Sequence, residues 1–474
     1  VARPEPVQIP SHPLDRFAPL LGAERFRHVE EVAARAREHF RGRTIWHVNS
    51  TMRGGGVAEM LGSLLPYVRG AGLDCRWVVL RESDEFFALT KRLHNNLHGN
   101  RGDGGPLGEA EARLYARTLA ASAAELTPLL HSGDVVFLHD PQTAGLAAAA
   151  RAAGATVVWR CHIGADRIDA PVQRAQDFLL PHVREADAWV FSRAAYVWAG
   201  LDRSRTWTMA PSIDPFSPKS QELEAATVEA ILAAIGLGDG RPAVVAAAFT
   251  RTDGAPGRVE RAAEVIQQQP LPPEAPLLAQ VSRWDRLKDP LGVIACLDGD
   301  LADRGLHLLL AGPATEAVAD DPEGATVWAE VRAALAALPE PTRRLVHLVS
   351  LPMDDLDENG AMVNALQRRA DVVAQNSLAE GFGLTVAEAM WKRRPVVGTR
   401  VGGIQDQIVD GESGVLVDPG EPAQLAAAVA AILDDPARAT ALGERAHERV
   451  RDRFLDATRL AEYAERLLAL EAAS

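Results

Sequence analysis

The stretch TIWHVNSTMRGGGVAEM, Thr44 to Met60, decides the fold class. TIWHVN is a short run of β-branched, aromatic and apolar residues, MRGGG is a glycine turn, and the apolar spacing from Val57 onward is helical. A strand that feeds a helix through a tight turn is the opening of a βαβ unit. The alternation continues along the chain. CRWVVL, DVVFL, TVVW, AWVF and TWTM are the further strands expected in the first half, and PLLAQVS, LHLLLA, LVHLVS, DVVAQNS and PVVG those of the second. Longer helical patterns separate them, so the fold class expected is α/β with parallel sheets.

At 474 residues the chain exceeds what one core usually supports, and its 47% hydrophobic content is enough for two. PSIDPFSPKS, Pro211 to Ser220, holds three prolines between the two series of strands and marks the junction. The expected division is 1–214, 215–455 and a closing helix at 456–474. Within it, a helical run from Gln221 to Ile235 and a Pro/Gly-rich stretch to Pro276 make 215–276 a linker and insertion. The tail from Asp452 onward has amphipathic helical spacing. No apolar run approaches the roughly 18 residues of a membrane span, and VARPEPVQIP lacks a signal-peptide core, so a soluble cytoplasmic protein without membrane partners is expected. Cys75, Cys161 and Cys296 are far apart and without a C-x-x-C, against both a disulfide framework and a zinc site. A formal charge of -14 disfavours nucleic acid as a partner.

In open α/β sheets, ligands bind beyond the carboxyl ends of the strands. After TIWHVN, DVVFL and TVVW come STMRGGG, HDPQ and RCHIG, which gather Arg53, Gly54, Gly55, Gly56, His139, Asp140, Gln142, Arg160 and His162 on one edge. Consecutive glycines at a helix start let backbone amides approach a diphosphate or a sugar. They match neither the spaced dinucleotide fingerprint nor a Walker loop, and the bland reading is a flexible turn. His139 and His162, each alone more often a structural histidine, lie beside Asp140, Gln142 and Arg160, a set suited to a polyhydroxyl sugar. RLHNNLHGNRGDGG, Arg92 to Gly105, reads as a mobile polar loop.

In the second half, SRWDRLKDP follows PLLAQVS, and LAEGFG follows DVVAQNS. Arg283 and Lys288 near a helix entrance would neutralise a diphosphate leaving group. Of 50 Lys plus Arg, only Lys91, Lys219, Lys288 and Lys392 are lysines, a weak pointer to a required ammonium at Lys288 and Lys392. In AEGFGLTVAEAM, Ala379 to Met390, Glu380 and Glu388 would diverge by roughly 80° on one helix, so Glu380 is expected before the helix and Glu388 one turn inside it. Ionised carboxylates there suit the vicinal hydroxyls of a ribose or glucose, and the amides of Gly381, Phe382 and Gly383 suit hydroxyls or phosphate. Two Asp-x-Asp pairs, Asp298 with Asp300 and Asp355 with Asp357, are no more than chance supplies, and no metal site is assigned. With polar chemistry on one edge of each sheet, a cleft between facing edges is the expected arrangement.

Together these residues resemble the retaining GT-B glycosyltransferases of family 4. The family mark is the Glu-x7-Glu pattern of Glu380 and Glu388, with Arg283 and Lys288 as the paired phosphate residues. HVNSTMRGGGVAEML, VFLHDPQ, VVWRCHIG, PSIDP, QVSRWD and EGFGLTVAEAMWK extend the resemblance over almost the whole chain, toward the branch that moves glucose from a nucleotide donor to free glucose. The resemblance implies two Rossmann-like domains facing across a cleft, with the C-terminal helix crossing back to the first. It implies an α-retaining, reversible transfer from an NDP-glucose to glucose, giving α,α-trehalose. Glu388 would hold the donor ribose. Glu380 with Gly381 to Gly383 would hold the donor glucose, the Leu384 and Thr385 amides would approach the phosphates, and Gly54 to Gly56 would add amides. His162, Arg283, Lys288 and Glu380 would carry catalysis, and Arg53, His139, Asp140, Gln142 and Arg160 with His162 the acceptor. No tightly bound cofactor and no divalent metal are called for, and a homodimer stays open. Ala247 to Pro276 is longer than in shorter relatives. The alternatives are α-glucosyl transfer to a sugar phosphate or glucan, and a non-catalytic sugar-nucleotide sensor.

Overall fold

The computed structural model describes residues 4–52, 56–238, 240, 243–297, 299–315 and 322–473. Arg53, Gly54, Gly55 and Asp298 lie outside the described residues. The chain divides into two compact units, 1–212 with 454–474, and 213–453.

Among the described residues the first unit builds one seven-stranded sheet from β1 (Glu5–Val7), β2 (Thr44–Asn49), β3 (Asp74–Val79), β4 (Val135–His139), β5 (Thr156–Cys161), β6 (Ala188–Phe191) and β7 (Thr206–Thr208). Their order is β1-β3-β2-β4-β5-β6-β7, parallel throughout except that β1 runs antiparallel to β3. Every residue of β2, β4 and β6 is buried, as a sheet covered on both faces requires. One face packs Trp46, Val48, Leu138 and Trp159 against the helices that follow β3 and β5. The other packs Ile45, Phe137 and Val158 against Tyr463 and Leu467 of the C-terminal helix Asp456–Ala472. That helix is fixed at both ends. Ser212 Oγ donates to Asp456 Oδ1 (2.6 Å), and Glu471 accepts from Arg43 Nη1 (2.7 Å) and Thr156 Oγ1 (3.0 Å).

In the second unit a short antiparallel hairpin, β8 (Ala248–Thr250) with β9 (Pro256–Arg258), precedes a second seven-stranded sheet. Its strands are β10 (Glu264–Ile266), β11 (Leu277–Val281), β12 (His307–Pro313), β13 (Val346–Leu351), β14 (Val372–Gln375), β15 (Val396–Thr399) and β16 (Val415–Val417). The order is β10-β13-β12-β11-β14-β15-β16, parallel except for β10 against β13.

Both sheets reverse their direction of growth once. In the first, β2 has β3 on one side and β4 on the other; in the second, β11 lies between β12 and β14. The loops diverging at such a switch open a crevice, the usual ligand site of this fold.

Two stretches differ from the sequence expectation. RLHNNL of Arg92–Gly105 is the end of the helix Asp84–Leu97, because Leu93 and Leu97 are buried. The turn after it is tied by Arg92, which donates to both carboxylate oxygens of Asp103 (2.7 and 2.8 Å) and to the Pro106 carbonyl (2.6 Å). Residues 247–276 pack on the start of the helix Leu356–Arg369. Arg251 forks onto Asp355 (3.1 and 2.8 Å), Thr252 Oγ1 donates to Asp357 (2.6 Å), and the Glu260 and Arg261 amides donate to Glu358 (2.5 and 2.7 Å). Asp355 and Asp357 are thereby occupied in holding the insertion. Asp300 accepts from Arg304 Nε, just past its own short helix Asp300–Asp303 (2.7 Å).

Candidate active site

In the second unit the site is built where β11 and β14 end. Gln280, 1% exposed, accepts from the Asn376 amide (2.8 Å) and donates to the Lys288 carbonyl (2.9 Å). The Leu378 amide donates to the Leu287 carbonyl (2.7 Å). Asp289, with φ 46°, caps the helix Pro290–Ala295 through the Gly292 amide (3.0 Å) and accepts from Asn376 Nδ2 (2.8 Å). Burial raises its pKa. These bonds knit together two loops that are distant in sequence. Lys288 and Glu380 form an ion pair with side chains 13% and 12% exposed, and Ser377 Oγ donates to the same Glu380 oxygen (3.3 Å). Arg283 stands half exposed, 3.7 Å from the Asp285 carboxylate.

Gly383 takes φ 80° and starts the helix Leu384–Trp391; a Cβ there would sit in the left-handed region, 3.2 Å from the Glu380 side chain. The Gly381 carbonyl accepts from the Gly403 amide (3.1 Å), while the Phe382 and Gly383 carbonyls accept from Gln407 Nε2 (2.5 and 3.2 Å). In a planar trans peptide the N–H opposes the carbonyl, so the Phe382 amide turns away from Gly403, and the Gly383 and Leu384 amides turn away from Gln407.

Glu388 lies one turn into that helix, 3% exposed, with Lys219 Nζ 3.9 Å from its Oε1. Its backbone carbonyl accepts from Lys392 Nζ (3.1 Å), which also donates to Gln367 (2.7 Å). Burial lowers Lys392 to about 7, opposed by the Glu388 carboxylate. From Gln367 the bonds run on to the Thr385 carbonyl (3.2 Å), from Thr385 Oγ1 to Gln375 (2.7 Å), and from Gln375 to Ser377 (2.9 Å). The two glutamates stand at the ends of one polar network.

In the first unit the carboxyl edge carries a chain of three imidazoles. His47 Nδ1 meets His139 Nε2 (3.1 Å), and His139 Nδ1 meets His162 Nε2 (3.0 Å). Burial, with the Arg160 cation nearby, lowers His47 to about 3 and holds His139 and His162 well below the usual imidazole value. Asp140, with φ 64°, accepts from the His162 amide (2.7 Å), and its own amide donates to the Arg160 carbonyl (2.8 Å). Burial raises its carboxyl to about 7 against the hydrogen bond from His162 and the charge of Arg160. The Arg160 side chain is placed elsewhere than the sequence reading put it: 2% exposed, it donates to Tyr463 Oη, and its guanidinium carbon lies 5.3 Å from the Tyr463 ring centroid. Gln142 is half-buried in the same HDPQ turn. Gly56 opens the helix Gly56–Gly70.

Sequence reasoning passed over His47, Gln280, Gln375, Asn376 and Ser377. Each is a polar residue inside or just after an otherwise apolar strand, and that interruption was the available signal. Among the described residues no group of three or more His, Cys, Asp or Glu could hold a metal ion, and no helix is long and apolar enough to cross a membrane.

Two parallel α/β sheets with polar loops at their switch points define a GT-B glycosyltransferase fold, and solved structures agree. Anabaena HepE in complex with UDP and glucose aligns with a TM-score of 0.59 at 16% identity, over 90% of this chain and 100% of that one. Residues 47–198 match the family described as trehalose synthase, N-terminal domain, and 356–449 the glycosyl transferases group 1. The trehalose synthase of Pyrococcus horikoshii is 34% identical over 96% of this chain and 96% of its own, and that of Rubrobacter xylanophilus 35% over 93% and 92%. The chain belongs to the trehalose synthase family of glycosyltransferases.

Proposed function

We propose that the protein transfers glucose from an NDP-glucose to the anomeric hydroxyl of free glucose, with retention, to give α,α-trehalose, in a reversible reaction. The observation that carries the chemistry is the Lys288–Glu380 pair, brought together by Gln280 and Asn376 at the switch point of the second unit. In this reading Glu388 accepts from the donor ribose hydroxyls and Glu380 from the donor glucose hydroxyls. Lys288 and Arg283 neutralise the diphosphate, assisted by the amides at the start of the helix Leu384–Trp391. The C1–O bond to the phosphate breaks, the acceptor hydroxyl bonds to C1 on the same face, and its proton passes to the departing phosphate oxygen. Gly54, Gly55 and Gly56 add donor-side amides. The acceptor is held by Arg53, His139, Asp140 and Gln142, and His162 contacts the transferred sugar.

Arg160 supports this edge from behind through Tyr463. Its commitment there takes away one of the two arginines, the other being Arg53, that a sugar-phosphate acceptor would call on beside HDPQ. The test is incubation with UDP-, ADP- or GDP-glucose plus glucose and determination of the product's linkage. A non-reducing α,α-linked disaccharide is expected. Hydrolysis alone, or transfer only to a phosphorylated or polymeric acceptor, overturns the reading.

A further inference from the structure

The imidazole chain reaches deeper than the acceptor edge. His162 follows β5, His139 ends β4, and His47 lies inside β2 at 7% exposure, stacked on Phe137 with ring centroids 4.8 Å apart. Strand register sets the spacing: His139 pairs with Arg160 and His47 with Phe137, so the three rings descend stepwise from the sheet edge into its covered face. A neutral imidazole has one N–H and one lone pair, and each contact in the chain needs one of each. If His139 Nδ1 donates to His162, then His139 Nε2 must accept from His47 Nδ1, and His162 keeps its proton on Nδ1. If the chain runs the other way, His162 Nε2 donates and its Nδ1 carries a lone pair. The three tautomers therefore change together or not at all. A protonated middle ring would have two donors and break the sequence, and burial beside Arg160 works against that charge.

We infer that His47 and His139 are positioning residues whose hydrogen-bonded chain fixes the ring plane and tautomer of His162, so that His162 Nδ1 meets a sugar hydroxyl with a single, preset hydrogen-bonding role. The inference rests on the proposed role of His162 in sugar transfer. His47 acts only through the ring beyond it, and its effect is on the reaction rather than on donor capture. The second unit supplies the control. His307 Nδ1 meets His347 Nε2 (2.8 Å) at the amino ends of β12 and β13, away from any loop assigned to the site.

The experiment uses the full chain labelled with ¹⁵N at histidine. Long-range proton–nitrogen spectra of the wild type should show the three rings neutral, each in one tautomer, all in the same sense. His47→Phe should turn the His162 signals into a tautomer mixture and lower kcat for glucosyl transfer about tenfold, with the KM for the nucleotide sugar unchanged. His47→Asn, which keeps one donor and one acceptor, should recover most of that loss, and His307→Phe should leave kcat and the His162 signals unaltered. A folded His47→Phe protein with wild-type kcat and a single His162 tautomer overturns the inference, as does a wild type in which His162 already titrates or mixes tautomers. If His47→Phe fails to fold, the wild-type spectrum and His47→Asn still decide it. Absence of transfer by the wild type would instead defeat the proposed function, leaving the spectra to judge the chain.

Discussion

His47 with His139 in the first unit and His307 with His347 in the second make nearly the same contact. The ring centroids are 5.3 and 5.1 Å apart with interplanar angles of 22° and 17°, and the bridging nitrogens are 3.1 and 2.8 Å apart. All four rings are buried, and burial lowers all four pKa values. They differ in where they sit along their strands. His307 begins β12 and its partner's other nitrogen meets Gln267 (2.8 Å), so that pair ends in a side chain beside β10. His139 ends β4 and its other nitrogen meets His162, which is only half-buried. Identical chemistry is structural at the amino end of a sheet and available to a ligand at the carboxyl end, since only there do the loops diverge.

The sharpest way to test that contrast lies in the charged rim of the second unit. Lys288→Met removes the cation paired with the mostly buried Glu380 carboxylate, so kcat should fall on the order of 10²–10³-fold. Turnover within about threefold of wild type would remove Lys288 from leaving-group stabilisation. Glu388→Ala should cost at least about tenfold in kcat/KM for the nucleotide sugar, since charge-assisted hydrogen bonds are worth roughly 1.5–3 kcal/mol each. The KM for glucose should hold steady, and wild-type donor kinetics would refute the ribose role.

Acid stability should make the two histidine regions look alike. His47 and His347 are both held to about 3, below the ~6.5 of an unfolded imidazole. Between those values the unfolded chain binds more protons. Stability from these rings is therefore complete above about pH 6.5 and falls as pH drops toward 3, by up to ~1.4 kcal/mol per pH unit per ring. Urea midpoints taken at pH 7.5, 6 and 5 should show this slope, reduced by one proton in either His47→Phe or His347→Phe. An unchanged slope in both would mean that the rings titrate normally. The smallest effect is expected from His307→Asn, about 1 kcal/mol of stability with kcat intact. A matching loss of kcat would erase the distinction between the regions.

Most of the strands and both glutamates were legible in the sequence, because parallel strands covered on two faces read as continuous apolar runs and glycines mark the turns beyond them. The edge strands β1, β10 and β16, and the hairpin of β8 with β9, were not. At three residues each they carry little periodicity to tell them from loop, although the equally short β7 was legible as TWTM. Arg160 was legible as a residue following a strand's apolar core but not in its direction. The alternation that sends Trp159 to one face sends Arg160 to the other, where a helix from the far end of the chain brings Tyr463.

By itself the sequence determined the two α/β series, the loops that carry the chemistry and the family mark of Glu380 with Glu388, since these follow from local pattern. The tertiary structure alone decided which strand lies beside which. That choice placed Lys288 against Glu380 across 92 residues of chain and set three histidines from three strands in one line. Strand order is fixed by long-range packing of faces that all look equally apolar in one dimension, so no local window contains it.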